Sequence, residues 1–244
     1  EADQWETVRE KARQLYAISS SDIDSVQDII SDIRAKTVDK KQQLGAAIHF
    51  VQNKIRYTGI EMGVNSFLPY SPALVLERRY GDCKDKTKLF LSLLKGMNIE
   101  AYPVLTSTRV DDDMDRYLPA LNLFNHMVAK VDFNNSAHWI DLTLSHQGRT
   151  LESLYQADYG HALVVDASRA GLEKMARAGH HGKTVQITET FDLSAGFDQA
   201  TKYQILSEYY GYRAESLRAY VAGSGKSALE KIYVDYVSRI HTDI

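Results

Sequence analysis

Apolar positions recur at helical spacing in "WETVREKARQLY" and "VQDIISDIRAK", and "SSSD" between them supplies N-cap residues. Residues 1 to about 56 are therefore predicted to be helical, with "KKQQLGAAIHFVQNKIRYTGI" as a third helix. The segment "SFLPYSPALVLERRYGD" breaks that pattern with Pro69 and Pro72. A further amphipathic helix follows: with Asp82 as N-cap, Cys83, Thr87, Phe90, Leu91 and Leu94 share one face. Beyond it, "AYPVLTSTRV", "FNHMVAKVDF" and "AHWIDLTL" are rich in valine, threonine and aromatics and read as strands. Two more strands are expected in "TVQITETFDL" and "ATKYQILSEYY", then a polar helical tail from about 212 to 242. A helix packed on an antiparallel sheet is the α+β layer arrangement. The expected division is a helical lead-in over 1–38, a core over 39–183, and a C-terminal hairpin and tail over 184–244. Two strands are too few for an independent sheet, so this last region either docks on the core or is cut short.

Composition narrows the function classes. The 244 residues are 44% hydrophobic and 25% charged, an ordinary globular balance that excludes disorder and coiled coil. A formal charge of -3 gives no reason to expect nucleic acid or an anionic membrane as partner. A lone cysteine excludes an intrachain disulfide framework and a cysteine-based zinc site, and no metal or other cofactor is expected. No apolar run approaches the roughly 20 residues that span a bilayer. The chain begins at Glu1 without a signal-type region and is expected to be an excised piece or a processed product.

The chemistry then turns on Cys83. Its place in the first helical turn exposes the thiol to unpaired amide N–H groups and the positive end of the helix dipole, which favour the thiolate nucleophile. Lys84 and Lys86 add to this only weakly if they point to solvent. The plain alternative is a small buried hydrophobe. A nucleophile also needs a base and an orienting group, and the hairpin offers both. Asn134 and Asn135 suit the positive φ of a two-residue type I′ turn. Closing there pairs Phe133 with Ser136, Val128 with Asp141 and His126 with Thr143. His126, Val128, Asp141 and Thr143 then share one side, with Asp141 diagonal to His126 at roughly 7 to 8 Å between backbones.

The order Cys83, His126, Asp141, with the cysteine opening a helix after "YGDC" and the other two in "FNHMV" and "HWIDLT", resembles the transglutaminase-like superfamily of papain-type folds. It looks most like bacterial members that carry an upstream β-domain. The match runs from about residue 40 to 145, and "RRYGDCKDKTKLFLSLLKGMNIEAYPVL" is its most specific part. The resemblance implies a triad of Cys83 as nucleophile, His126 as base and then acid, and Asp141 as the group that orients the imidazole. Leu142 stands where many relatives have proline, a departure that touches local strand geometry only. The implied activity is acyl transfer at amide bonds, by hydrolysis (peptidase or amidase) or transamidation, on a peptide or protein substrate. The backbone N–H of Cys83 is the natural oxyanion donor, with Tyr57 as a weaker candidate. A catalytically silent module that binds peptides or protein partners in the same groove is the alternative. The resemblance also leaves open that this core is one part of a larger protein of the bacterial periplasm or cell envelope. The oligomeric state stays open.

Other signals carry less. "YVAGSGKSAL" echoes a phosphate loop, but its first glycine position is Tyr220, and a helix break is expected there instead. "DDDMD" lacks the spacing and glycine of a calcium loop. His180 and His181 are read as part of a surface loop, His138 as facing away from His126, and His49 as lying inside a helix. "RRY" before the cysteine is either a structural ion pair or part of the cleft wall.

Overall fold

The computed structural model describes residues 4–59, 63–110, 112–148, 150–156, 158–175, 184–196 and 198–240. The loop assignment of His180 and His181 lies outside them, as do Asp111 of the acidic run and the last four residues of the tail. The chain divides into two units, Glu1–Ser145 with Arg149–Ala178, and His146–Gly148 with Gly179–Ile244.

The first unit opens with helices α1 (Trp5–Leu15), α2 (Ser20–Asp24), α3 (Gln27–Lys36) and α4 (Lys40–Lys54). The predicted cap between the first two is a capping box, with Ser19 accepting from the Asp22 amide and Asp22 accepting in return. A two-residue strand β1 (Arg56–Tyr57) follows, then α5 (Pro72–Arg78), strand β2 (Tyr80–Gly81) and α6 (Cys83–Gly96). Here the structure departs from the expected break. Proline is well placed at the first helical position, where its missing N–H has no partner to lose, so Pro72 starts α5 behind the N-cap Ser71. The helix stops at Arg79, which takes the left-handed conformation at φ 60°.

After α6 come β3 (Ala101–Thr106), β4 (His126–Phe133), β5 (Ser136–Ile140), β6 (His161–Val164) and β7 (Glu173–Lys174). They form one antiparallel sheet in the order β5-β4-β3-β6-β7, while β1 and β2 pair in parallel beside the start of α6. The mixed helix-and-antiparallel-sheet class is the one expected. The β4–β5 hairpin has the predicted register: Asn134 and Asn135 both have positive φ, at 51° and 59°, and Phe133 pairs with Ser136.

The apolar stripe on α6 is broader than its spacing suggests. Every residue from Cys83 to Leu94 is buried except Lys88, because the helix is packed on all sides. Leu89, Phe90, Leu93 and Leu94 meet Ile30, Leu44, Ile48 and Val51 of α3 and α4 as well as Ala129, Val131 and Ile140 of the sheet. Leu142 enters this same cluster fully buried, just past the end of β5. A second cluster joins Val8 and Ala12 of α1 and its C-cap Tyr16 to Cys83, Leu105, Met127 and Leu163. Val104, Val128, Trp139 and Val164 form a third, which contains no α6 residue.

The second unit holds the hairpin of β8 (Val185–Asp192) and β9 (Lys202–Tyr209), and helices α7 (Gly211–Ser224) and α8 (Lys226–Ile240). Phe191 stacks on Tyr203 across the hairpin. Gly225, at φ 81°, separates the two helices at the point where the phosphate-loop echo was read as a break.

Candidate active site

The loop that delivers Cys83 is held by its two aspartates. Asp82 accepts from the amides of Lys84 (2.8 Å) and Asp85 (3.1 Å), and the Asp85 carboxylate accepts from the Asp82 amide in return (3.2 Å). This capping box satisfies the first N–H groups of α6 and starts the helix at the cysteine. Asp85 also accepts from the Tyr70 amide (2.7 Å) and from Arg78 (2.5 Å), whose guanidinium lies over the rings of Tyr70 and Tyr80. The "RRY" arginine pair therefore splits. Arg78 is a structural ion pair, and Arg79 is the residue that ends α5.

Neither lysine after the cysteine points to solvent. Lys84 pairs with Asp82 at 2.7 Å, both side chains buried. Lys86 is fully buried, its Nζ 2.5 Å from the carbonyl of Ile55 and 3.5 Å from that of Gln52, at the negative end of the α4 dipole. Burial lowers its pKa to about 8, against the opposing pull of the Asp141 carboxylate.

His126 opens β4 and Asp141 is the first residue past β5. Nε2 of His126 lies 2.9 Å from Oδ2 of Asp141. The His126 side chain is also hydrogen-bonded to that of Cys83. With Nε2 engaged by the carboxylate, the thiol falls to Nδ1. Burial alone would pull the imidazole pKa down. The hydrogen bond to Asp141, then that to Cys83, together with the charges of both, raise it instead to about 10. The structure thus brings Cys83, His126 and Asp141 into one hydrogen-bonded row.

Asp141 has further partners. Its Oδ2 also accepts from the Tyr159 hydroxyl at 2.6 Å, and its Oδ1 accepts from the amide (2.8 Å) and hydroxyl (2.6 Å) of Thr143. Gln52 of α4 donates to the Asp141 carbonyl at 2.9 Å. Burial pushes the carboxyl pKa up, but the bonds from His126, Thr143 and Tyr159 more than offset it, and the group is held below the ordinary aspartate range. The Tyr159 ring also meets the His126 ring edge-on, at 5.2 Å between centroids. Tyr159 carries no periodic signal, because it lies in irregular chain before β6. Gln52 had one: it is a polar residue on the apolar face of a helix.

Tyr57, the weaker oxyanion candidate, is half-exposed on β1 and pairs through its backbone with Gly81, two residues before the thiol. It is not among the described residues that line the cleft at Cys83. That cleft has a volume of about 300 Å³, and Cys83, His126, Leu105, Phe124 and Arg109 are on its wall. A larger groove of about 830 Å³ runs along α3 and α4 past the exposed His49 and contains no thiol. His138 pairs with Val131 on the hairpin, one residue out of phase with the Asp141 side. Among the described residues, no group of three or more His, Cys, Asp or Glu side chains is placed to hold a metal ion, and no helix is long and apolar enough to cross a membrane.

Residues 27–144, from α3 through the Asp141 turn, match the core of the transglutaminase-like superfamily. Over this segment, 118 of the 244 residues, the chain is similar to members of that superfamily. Its fold is similar to a crystal structure from Parabacteroides distasonis whose assignment as a protease is provisional, with a TM-score of 0.55 at 11% identity over 81% of this chain and 39% of that one. A provisionally assigned cysteine protease from Cytophaga hutchinsonii has a TM-score of 0.39 at 12% identity, over 77% of this chain and 51% of its own. A solved structure named as a TGase has a TM-score of 0.37 at 18% identity, over 50% and 31%. The chain thus spans about half or less of the length of each. No curated protein matches it.

Proposed function

We propose that the protein catalyses acyl transfer at amide bonds through Cys83, His126 and Asp141. The observation that carries this reading is the position of His126, hydrogen-bonded on one side to the Asp141 carboxylate and on the other to a cysteine at the first position of a capped helix. In the reaction, the Cys83 thiolate attacks the amide carbonyl and His126 protonates the departing amine. The resulting thioester is resolved by water, activated by the same imidazole. Asp141 keeps Nε2 protonated and the ring in place. The Cys83 backbone N–H, at the start of α6, is the donor proposed for the oxyanion. Hydrolysis is favoured over transamidation because water needs no second binding cleft, which makes a peptidase or amidase the preferred form of the activity. The substrate is a peptide or protein amide.

The test is the rate of Cys83 alkylation by iodoacetamide as a function of pH, in the parent and in His126→Ala. A poised pair gives a parent thiol that reacts well below the ordinary cysteine pKa of about 8.5, with that reactivity lost in the variant. A thiol that is inert, or that titrates ordinarily in both proteins, overturns the reading and leaves a groove that only binds.

A further inference from the structure

The cleft at Cys83 has a one-sided charge. Lys84, Arg109 and His126 are on its wall, and no aspartate or glutamate is among its described lining residues. Two of these cations already have partners, Lys84 in Asp82 and His126 in Asp141. Arg109 is different. It is exposed, and its guanidinium has no hydrogen-bond or ion-pair partner among the described residues. Of the described acidic residues that follow it, Asp112 pairs with Lys174 at 3.1 Å and Asp113 with Arg116 at 2.9 Å.

The backbone under Arg109 is fixed. The buried hydroxyl of Ser107 accepts from the amides of Arg109 (3.2 Å) and Val110 (3.1 Å). The next contact ties this loop to the imidazole: Asn125, the residue before His126, accepts from the Thr108 amide at 2.9 Å and donates to the Thr108 hydroxyl at 3.0 Å. An exposed guanidinium is therefore mounted on a short, pinned turn beside the histidine strand. A planar guanidinium matches a carboxylate in charge and in its paired hydrogen-bond geometry. The apolar wall of Leu105, Leu121 and Phe124 suits the methylene groups that carry such a carboxylate in a peptide.

We infer that Arg109 is a specificity-determining residue that makes the cleft select amide substrates with a carboxylate close to the reacting bond, as in an acidic peptide. This inference rests on the acyl-transfer reading of the same cleft.

Two alkylating reagents of nearly equal size separate the two ideas. Iodoacetate carries a carboxylate where iodoacetamide carries a neutral amide, and both transfer their methylene to the thiolate with loss of iodide. The second-order rates of both are measured on Cys83 at one pH and low salt, in the parent, Arg109→Gln and Arg109→Lys. The expected result is that the ratio of iodoacetate to iodoacetamide rate falls by about threefold in Arg109→Gln, the size of one partly exposed charge interaction, with part of the fall recovered in Arg109→Lys and the parent's advantage eroded by salt. A ratio that is equal in parent and Arg109→Gln, on a thiol that is otherwise activated, overturns the inference alone. A thiol inert to both reagents overturns the acyl-transfer reading and the inference with it. Competition by an acidic peptide, but not by its amidated counterpart, against iodoacetamide labelling is expected in the parent and weakened in Arg109→Gln. Equal competition by both peptides overturns the inference.

Discussion

Nε2 of His126 lies 2.9 Å from Oδ2 of Asp141, one residue past the last ladder pair of the hairpin that carries both. The ladder ends at the Ala129–Ile140 pair, and the register set by the Asn134–Asn135 turn brings the two side chains to the same end of it. Removing the carboxylate while keeping its shape leaves the imidazole without the acceptor that defines its tautomer. Asp141→Asn is expected to lower amide turnover by about 10³- to 10⁴-fold with little change in KM. Steady-state kinetics on an amide found by substrate screening checks this, and an active Asp141→Asn enzyme would refute the role given to Asp141.

Tyr159 donates to the same oxygen that holds His126. Burial and the neighbouring Asp141 charge keep its hydroxyl protonated. Tyr159→Phe removes one hydrogen bond to a charged acceptor and leaves the edge-on ring contact. The expected loss in kcat is about tenfold, close to the 1.5 kcal/mol of such a bond. The pH at which Cys83 alkylation rises should shift with it, which a purely structural tyrosine would not cause.

Gly81 is required by contact rather than by backbone angle. A Cβ added there would lie 2.7 Å from Cβ of Asp85 and 3.1 Å from its Oδ2. Asp85 cannot retreat without loosening its bonds to Tyr70, Arg78 and the Asp82 amide. Gly81→Ala is expected to destabilise the protein by about 1–3 kcal/mol. Urea denaturation measures the loss, and circular dichroism at equal denaturant checks that α6 loses helicity with it.

Two buried bases give opposite pH dependences. His126 is raised from 6.5 to about 10, so the folded state binds its proton more tightly than the unfolded one. The stability it contributes is fully present below pH 6.5 and is lost as pH rises through about 10. Lys86 is lowered from 10.5 to about 8, so its burial opposes folding at low pH, and that penalty is relieved as pH rises from about 8 to 10.5. The stability gap between parent and His126→Asn should therefore shrink between pH 6.5 and 10. The gap between parent and Lys86→Met should move in the parent's favour above pH 8. Urea titrations at pH 6.5, 8 and 10 measure both, and a pH-independent gap for either variant would contradict that residue's assigned shift.

Features set by neighbours a few residues apart were legible in the sequence. The Asp82 cap, the two-asparagine turn and the hairpin register all depend on local hydrogen bonds and side-chain alternation, and the structure has each of them. Short elements with no pattern of their own were not legible. β7 has two residues, and β6 is defined by pairing with β3 across an irregular segment. Pro72 was ambiguous because the same residue breaks a helix from inside and starts one from its first turn.

By itself, then, the sequence determined that a cysteine opens a capped helix and that a histidine and an aspartate share one end of a hairpin. Only the tertiary structure decided that these two places coincide. Alternation alone would send His126 with Val128 into the Val104, Trp139 and Val164 layer, which contains no α6 residue. His126, still paired with Thr106 of β3, is at the end of β4, where its ring meets Tyr159 beside that layer and is also hydrogen-bonded to Cys83 of α6. The supports of Asp141 come from α4 and from the chain before β6, through Gln52 and Tyr159. Turn and cap chemistry acts within a few residues, whereas these contacts exist only once α6 is packed between the helices and the sheet.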